Sequence, residues 1–176
     1  TINGNSHTLD VDATYRLKFN MAGTLKLNNV TVKSDYLEAN TWDSWDFLFN
    51  CDVEFTNVIF NREMALEKNA VLTGVTINNS STDDSYAIWI PATQKTVVMD
   101  NVTINAAGTG KRGIKIDEQY INEENIGVVN LTVKNSTFNT YKKSAILVKS
   151  KAGANIVASN NNIENVNADT TNLVWV

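Results

Sequence analysis

The segment VVMDNVTINA, residues 97–106, decides the fold, because the chain repeats its pattern along most of its length. LKLNNVTVKS stands at 25–34, VEFTNVIFNR at 53–62 and AVLTGVTINN at 70–79, with LTVKNSTFNT at 131–140 and IVASNNNIEN at 156–165. Alignment of these phrases puts Asn29, Asn57, Gly74, Asn101, Asn135 and Asn160 in one column. On either side of that column apolar residues recur with period two, the mark of a strand with one buried face. Val97 and Met99 share a face, and after the Asn the pattern resumes at Val102 and Ile104. Leu25, Leu27, Val30 and Val32 are the equivalents, as are Val53, Phe55, Val58 and Phe60, and Leu131, Val133 and Phe138. Asn and Gly enter the left-handed backbone conformation most readily, so the shared column marks a corner between two strands.

A second, shorter phrase runs upstream: YRLKF at 15–19, WDFLF at 45–49, YAIWI at 86–90, RGIKI at 112–116, SAILV at 144–148 and NLVWV at 172–176. Each unit is therefore a strand, a short turn, a second strand and a polar loop, at a spacing typical of repeat architectures. Neither a helical period nor a two-residue hairpin turn recurs, which leaves parallel strands stacked coil upon coil. The expected fold is all-β, a parallel β-helix (solenoid) of about six to seven coils, with residues 1–176 as one domain and 1–11 as its first strand or cap. At about 4.8 Å per rung such a rod is roughly 30 Å long.

Composition excludes several function classes. Lys+Arg 15 against Asp+Glu 19 gives a net charge of −4 with no basic block, so no nucleic-acid partner is expected. No apolar run is long enough for a transmembrane helix, and no membrane insertion is expected. Cys51 is the single cysteine, so it has no disulfide partner in the chain and reads as a core thiol. No metal or cofactor is predicted. The chain starts at Thr1 without an initiator Met and stops inside the apolar NLVWV, and it reads as a piece of a longer, processed polypeptide with further coils or domains.

The opening TINGNSHTL, residues 1–9, is similar to the T-I-D-G-N-G-H-T-I entry of right-handed parallel β-helices, and the N-V-T-I phrases resemble their rungs. On those residues the chain resembles the pectin-lyase-like superfamily over essentially its whole length. The resemblance implies a right-handed coil and a secreted or surface-attached bacterial protein of the adhesin type. It does not select a function, because this fold carries lyases, hydrolases, adhesins and tail spikes alike.

Several residues invite a chemical reading. Asn29, Asn78, Asn79, Asn101, Asn130 and Asn135 each begin an N-glycosylation sequon, yet Asn29, Asn101 and Asn135 fall at the corner, where stacked amides bond coil to coil. STDDSYAIWI at 81–90 resembles the G-D-D-C-x-A-I segment of polygalacturonase-type hydrolases, which would make Asp83 and Asp84 the acid and base. KRGIKI resembles that family's R-I-K triplet, but Gly113 separates Arg112 from Ile114, and the family's G-H-G is absent. A calcium-dependent lyase would draw on Asp117, Glu118, Glu123 and Glu124 with Arg112 nearby, but these read as one solvated acidic loop. His7 reads as part of a capping turn.

The outward side of the shorter strand is more informative. If Ile88 and Ile90 point inward, Trp89 points out, and the same register exposes Lys18, Leu48, Lys115, Leu147 and Trp175. Trp42 and Trp45 add aromatics in an adjoining loop. Such a column suits a sugar ring or a docked protein, unless loops cover it. The outward column of the other strand, Thr31, Ile59, Thr76, Thr103, Thr137 and Asn162, is an ordinary exposed-strand choice, too irregular for an ice-binding face. The expectation is a non-catalytic structural or adhesive module of a secreted or cell-surface protein, its partner a glycan or surface protein met at Trp89, Trp175, Lys115, Trp42 and Trp45. The alternative is a polysaccharide-degrading enzyme using Asp83, Asp84 and Arg112.

Overall fold

A computed structural model describes residues 1–11, 16–34, 45–79, 86–106, 112–140, 144–165 and 172–175. Among these the chain forms sixteen strands and a single 3-10 turn at Glu123–Asn125, and every strand pairing is parallel. The strands stack into a β-solenoid with three sheets.

Two long strands, Leu17–Ser34 and Phe47–Phe60, run through all three sheets and join them. From them the first sheet continues through Ala70–Thr73, Lys95–Asp100, Val129–Lys134 and Ala154–Ser159. Across the corner the second continues through Thr76–Asn78, Thr103–Ala106, Thr137–Thr140 and Asn162–Asn165. The third runs through Met64–Leu66, Tyr86–Pro91, Arg112–Asp117, Ser144–Lys149 and Asn172–Trp175. Ile2–Val11 lies against Leu17–Ser34 as the first rung.

The register is the one the repeats imply. Leu27, Phe55, Leu72, Met99, Val133 and Ala158 stack in one inward column, and Leu25, Val53, Ala70, Val97, Leu131 and Ile156 in another. Inside the early coils Phe47, Phe49, Phe55 and Phe60 form a fully buried aromatic cluster. Cys51 is a free, buried thiol, pushed above its ordinary pKa by desolvation, as expected of an inert core cysteine. The sequence reading missed one rung of the third sheet. Met64, Ala65 and Leu66 are all buried, so the strand has no alternation to betray it.

Every member of the corner column is left-handed: Asn29, Asn57, Asn101, Asn135 and Asn160 have φ between 50° and 56°, and Gly74 has φ 63°. In the first coil Asn5 and Ser6 make the corner together, with φ 46° and 66°, and the pairing register shifts between Asn3 and His7. His7 Nδ1 lies 3.0 Å from the Gly4 carbonyl, within that turn. A Cβ at Gly74 would lie 2.5 Å from Asn57 Oδ1, so a side chain there requires the Asn57 amide to swing aside.

The amide ladder needs one correction: it does not run unbroken along the column. Asn57 donates to Asn29 at 3.2 Å and Asn160 to Asn135 at 3.5 Å, but Asn135 donates to Asp100 at 2.9 Å instead of to Asn101. That bond, with Lys134 beside it, holds the Asp100 carboxyl below its ordinary pKa. Further amide ladders lie off the column, one of them passing from Asn139 to Asn105 to Asn78 with both steps at 2.7 Å.

What the column shares is therefore backbone conformation first and hydrogen bonding second. Asn101→Ala is expected to cost about 1–2 kcal/mol, the penalty of the left-handed conformation for a residue with an ordinary Cβ, while Asn101→Gly stays near wild type. Thermal unfolding checks this; equal melting points for the Ala and Asn forms would contradict it.

Candidate functional site

The third sheet carries the most elaborate outer face. Its pairing aligns Lys18, Leu48, Ala65, Trp89, Lys115 and Leu147 in one outward column, the predicted one with Ala65 added, and the backbone register continues from Leu147 to Trp175. Exposure departs from expectation. Trp89 points away from the core, yet only 5 % of it is accessible. Trp45 covers it, with the two rings nearly parallel at 12° and 4.1 Å between centroids. An indole facing water from a strand buries apolar area when a second indole lies on it, and Trp45 does so here.

Polar groups complete the cluster. Trp89 Nε1–H donates to Asp117 Oδ1 at 2.6 Å, and the other carboxylate oxygen takes the Lys115 ammonium. The same ammonium lies 5.1 Å from the centre of the Tyr86 ring, a cation–π distance, and 3.3 Å from Gln119 Oε1. Asp117 thus belongs to the end of a strand and is 2 % exposed, which corrects its assignment to the acidic loop. Glu123 and Glu124 do lie on that loop, exposed, and Glu123 pairs with Lys151 at 3.1 Å.

Beside this cluster the segment 118–126 folds back over the end of the third sheet. Gly127 N–H donates to the Ala92 carbonyl at 2.8 Å, and a Cβ on Gly127 would lie 2.6 Å from the Gln94 nitrogen. Glycine at that point lets the return of the loop lie directly on the turn at 91–94. Lys151, one coil on, donates its backbone N–H to Glu118 at 3.0 Å. The loop and the sheet enclose a groove of about 340 Å³. Trp89, Pro91, Tyr120 and Ile121 give it apolar surface, Asn50, Asn122, Asn125 and Thr93 give it amides and a hydroxyl, and Glu67 and Lys68 bring one charge of each sign.

Asp83, Asp84 and Trp42 lie outside the described residues. For Arg112 and Trp175 the backbone alone is described, paired with Tyr86 and Leu147 respectively. Of the predicted binding residues, the structure brings Trp45, Trp89 and Lys115 into one cluster. The groove residues Asn50, Tyr120, Asn122 and Asn125 were not foreseen, since nothing in a loop's composition says which strand it will cover.

Lys95 also escaped notice, although it shares the inward phase of Val97 and Met99. It is 5 % exposed and donates to the carbonyls of Leu66 at 3.2 Å and Glu67 at 2.8 Å. Burial pulls its pKa down to about 7. Its ammonium closes backbone carbonyls inside the solenoid and does not line the groove. Among the described residues no group of three His, Cys, Asp or Glu side chains is placed to hold a metal ion. Comparison with known proteins finds no matching family model, no matching curated protein and no matching solved structure.

Proposed function

We propose that this chain is a non-catalytic structural or adhesive module of a secreted or cell-surface bacterial protein, which meets a glycan or protein ligand on the outer face of its third sheet. The observation that carries the reading is the Trp45–Trp89–Asp117–Lys115–Tyr86 cluster, an ordered aromatic and polar assembly on the outside of the solenoid. Stacking of coils requires nothing of the kind there. Apart from Ile59, the outward positions of the second sheet are met by threonines and amide ladders, the ordinary choices for exposed strands. Side chains fixed by mutual bonds lose little freedom when a partner arrives, which favours binding.

The non-catalytic part rests on Asp117. It is the carboxylate built into the cluster, and both its oxygens are engaged, by the Trp89 indole and the Lys115 ammonium. A carboxylate so held is poorly disposed to exchange protons with a substrate. Kinship with the right-handed pectin-lyase-like helices belongs to the same proposal and would place the module in a surface protein.

A glycan array tests the reading. Wild-type protein is expected to bind a restricted set of glycans, and Leu147→Asp, on the outward column, to lose at least about tenfold in affinity by placing a charge in the contact. Thr132→Ala, on the first sheet, is expected to bind as wild type. Equal behaviour of the two variants would contradict the assignment of the face.

A further inference from the structure

We infer that the groove between the third sheet and the 118–126 loop is a binding site for an uncharged saccharide, with Tyr120 as its stacking platform. The inference deepens the proposed function by naming a ligand class, and it rests on that reading of the face.

Tyr120 is the first ground. Its backbone is left-handed, with φ 64°, and 72 % of the residue is exposed. A bulky side chain rarely adopts that conformation, and an exposed ring returns little burial for the strain. Strain held at a solvent-facing rim points to a task for the side chain that sits there. The loop that imposes it is anchored at both ends, by the Gly127–Ala92 bond and by the bond from Lys151 to Glu118.

The chemistry of the lining is the second ground. Amides offer donors and acceptors together, and Asn50, Asn122 and Asn125 with the Thr93 hydroxyl line the groove beside Pro91, Tyr120 and the little of Trp89 that is accessible. Glu67 and Lys68 cancel, so the groove selects neither sign of charge. A ligand complementary to this lining has hydroxyls around its edge, an apolar face and no net charge, which describes a pyranose. At about 340 Å³ the groove lies near the lower end of the range for small-molecule sites, so it holds about one or two rings and not a long polymer segment.

Calorimetric titration of the whole chain with cellobiose, maltose, N,N'-diacetylchitobiose and digalacturonate tests this. At least one of the three neutral disaccharides is expected to bind, and digalacturonate to bind more weakly. Tyr120→Ala and Asn122→Ala are each expected to reduce affinity about tenfold, as loss of a stacked ring or a paired hydrogen bond does. Tyr120→Gly separates strain from fold: it is expected to weaken binding as Tyr120→Ala does while raising the melting point by about 2–4 °C. If Leu147→Asp abolishes binding and Tyr120→Ala leaves it unchanged, the groove assignment fails and the face assignment stands. If no neutral saccharide binds wild-type protein at millimolar concentration, the saccharide inference is overturned and the face is left with a protein ligand. Preference for digalacturonate would overturn it as well.

Discussion

Phe49→Ala is expected to destabilise the protein by about 3–5 kcal/mol, the range for deleting a buried ring whose neighbours cannot close the gap. Phe49 is fully buried, stacked on Phe19 at 4.9 Å and edge-on to Phe55 at 5.1 Å and Phe60 at 6.0 Å. Coils lie on both sides of it, at Leu17–Ser34 and at Met64–Leu66, so the cavity cannot be relieved by fraying of an end. Ile163→Ala provides the contrast. Ile163 is only half-buried in the last coil, and its loss should cost about 1 kcal/mol, as expected where stability is a sum of interactions between neighbouring coils. Urea unfolding of both variants measures the difference; equal losses would contradict the stacked architecture.

Lys95 should make stability depend on pH between about 7 and 10.5, the folded and ordinary pKa values of its ammonium. Below that window both folded and unfolded chains hold the proton, and the folded state carries the full cost of a buried charge. Within it the unfolded chain binds a proton that the folded chain has released, so stability rises with pH by about 1.4 kcal/mol per unit. Above it the gain is complete. Between pH 7 and 9.5 wild-type protein is expected to gain about 3 kcal/mol relative to Lys95→Met, which keeps the apolar stem and cannot titrate. Parallel stability curves for the two proteins would show that the ammonium is not buried as described.

How much of this was legible in the sequence depends on what each feature demands of its residues. The corner was legible because a left-handed backbone admits few residue types, and Asn or Gly recurs at every rung. Register was legible because a period of two fixes each side chain to one face, which placed Trp89, Lys115 and Leu147 in a single column. Whether that column meets water was not legible. Alternation assigns a face, but Trp45 covers Trp89 from a loop, and loops carry no period. Met64–Leu66 was missed for the opposite reason, being buried on both sides. Tyr120 was hidden because its left-handed conformation is imposed by the anchored loop and not by its own preference.

The outer face of the third sheet is an ordered cluster, and we propose that it receives a ligand. The indole region of a nitrogen-15 NMR spectrum tests it most directly, since the chain has only four tryptophans. Slow hydrogen exchange is expected for the Trp89 Nε1–H, bonded to Asp117 and shielded by Trp45, and a shift of that signal when a binding saccharide or protein is added. Exchange at the rate of a free indole, or a ligand that leaves the Trp89 signal in place while moving the amides of the first sheet, would contradict it.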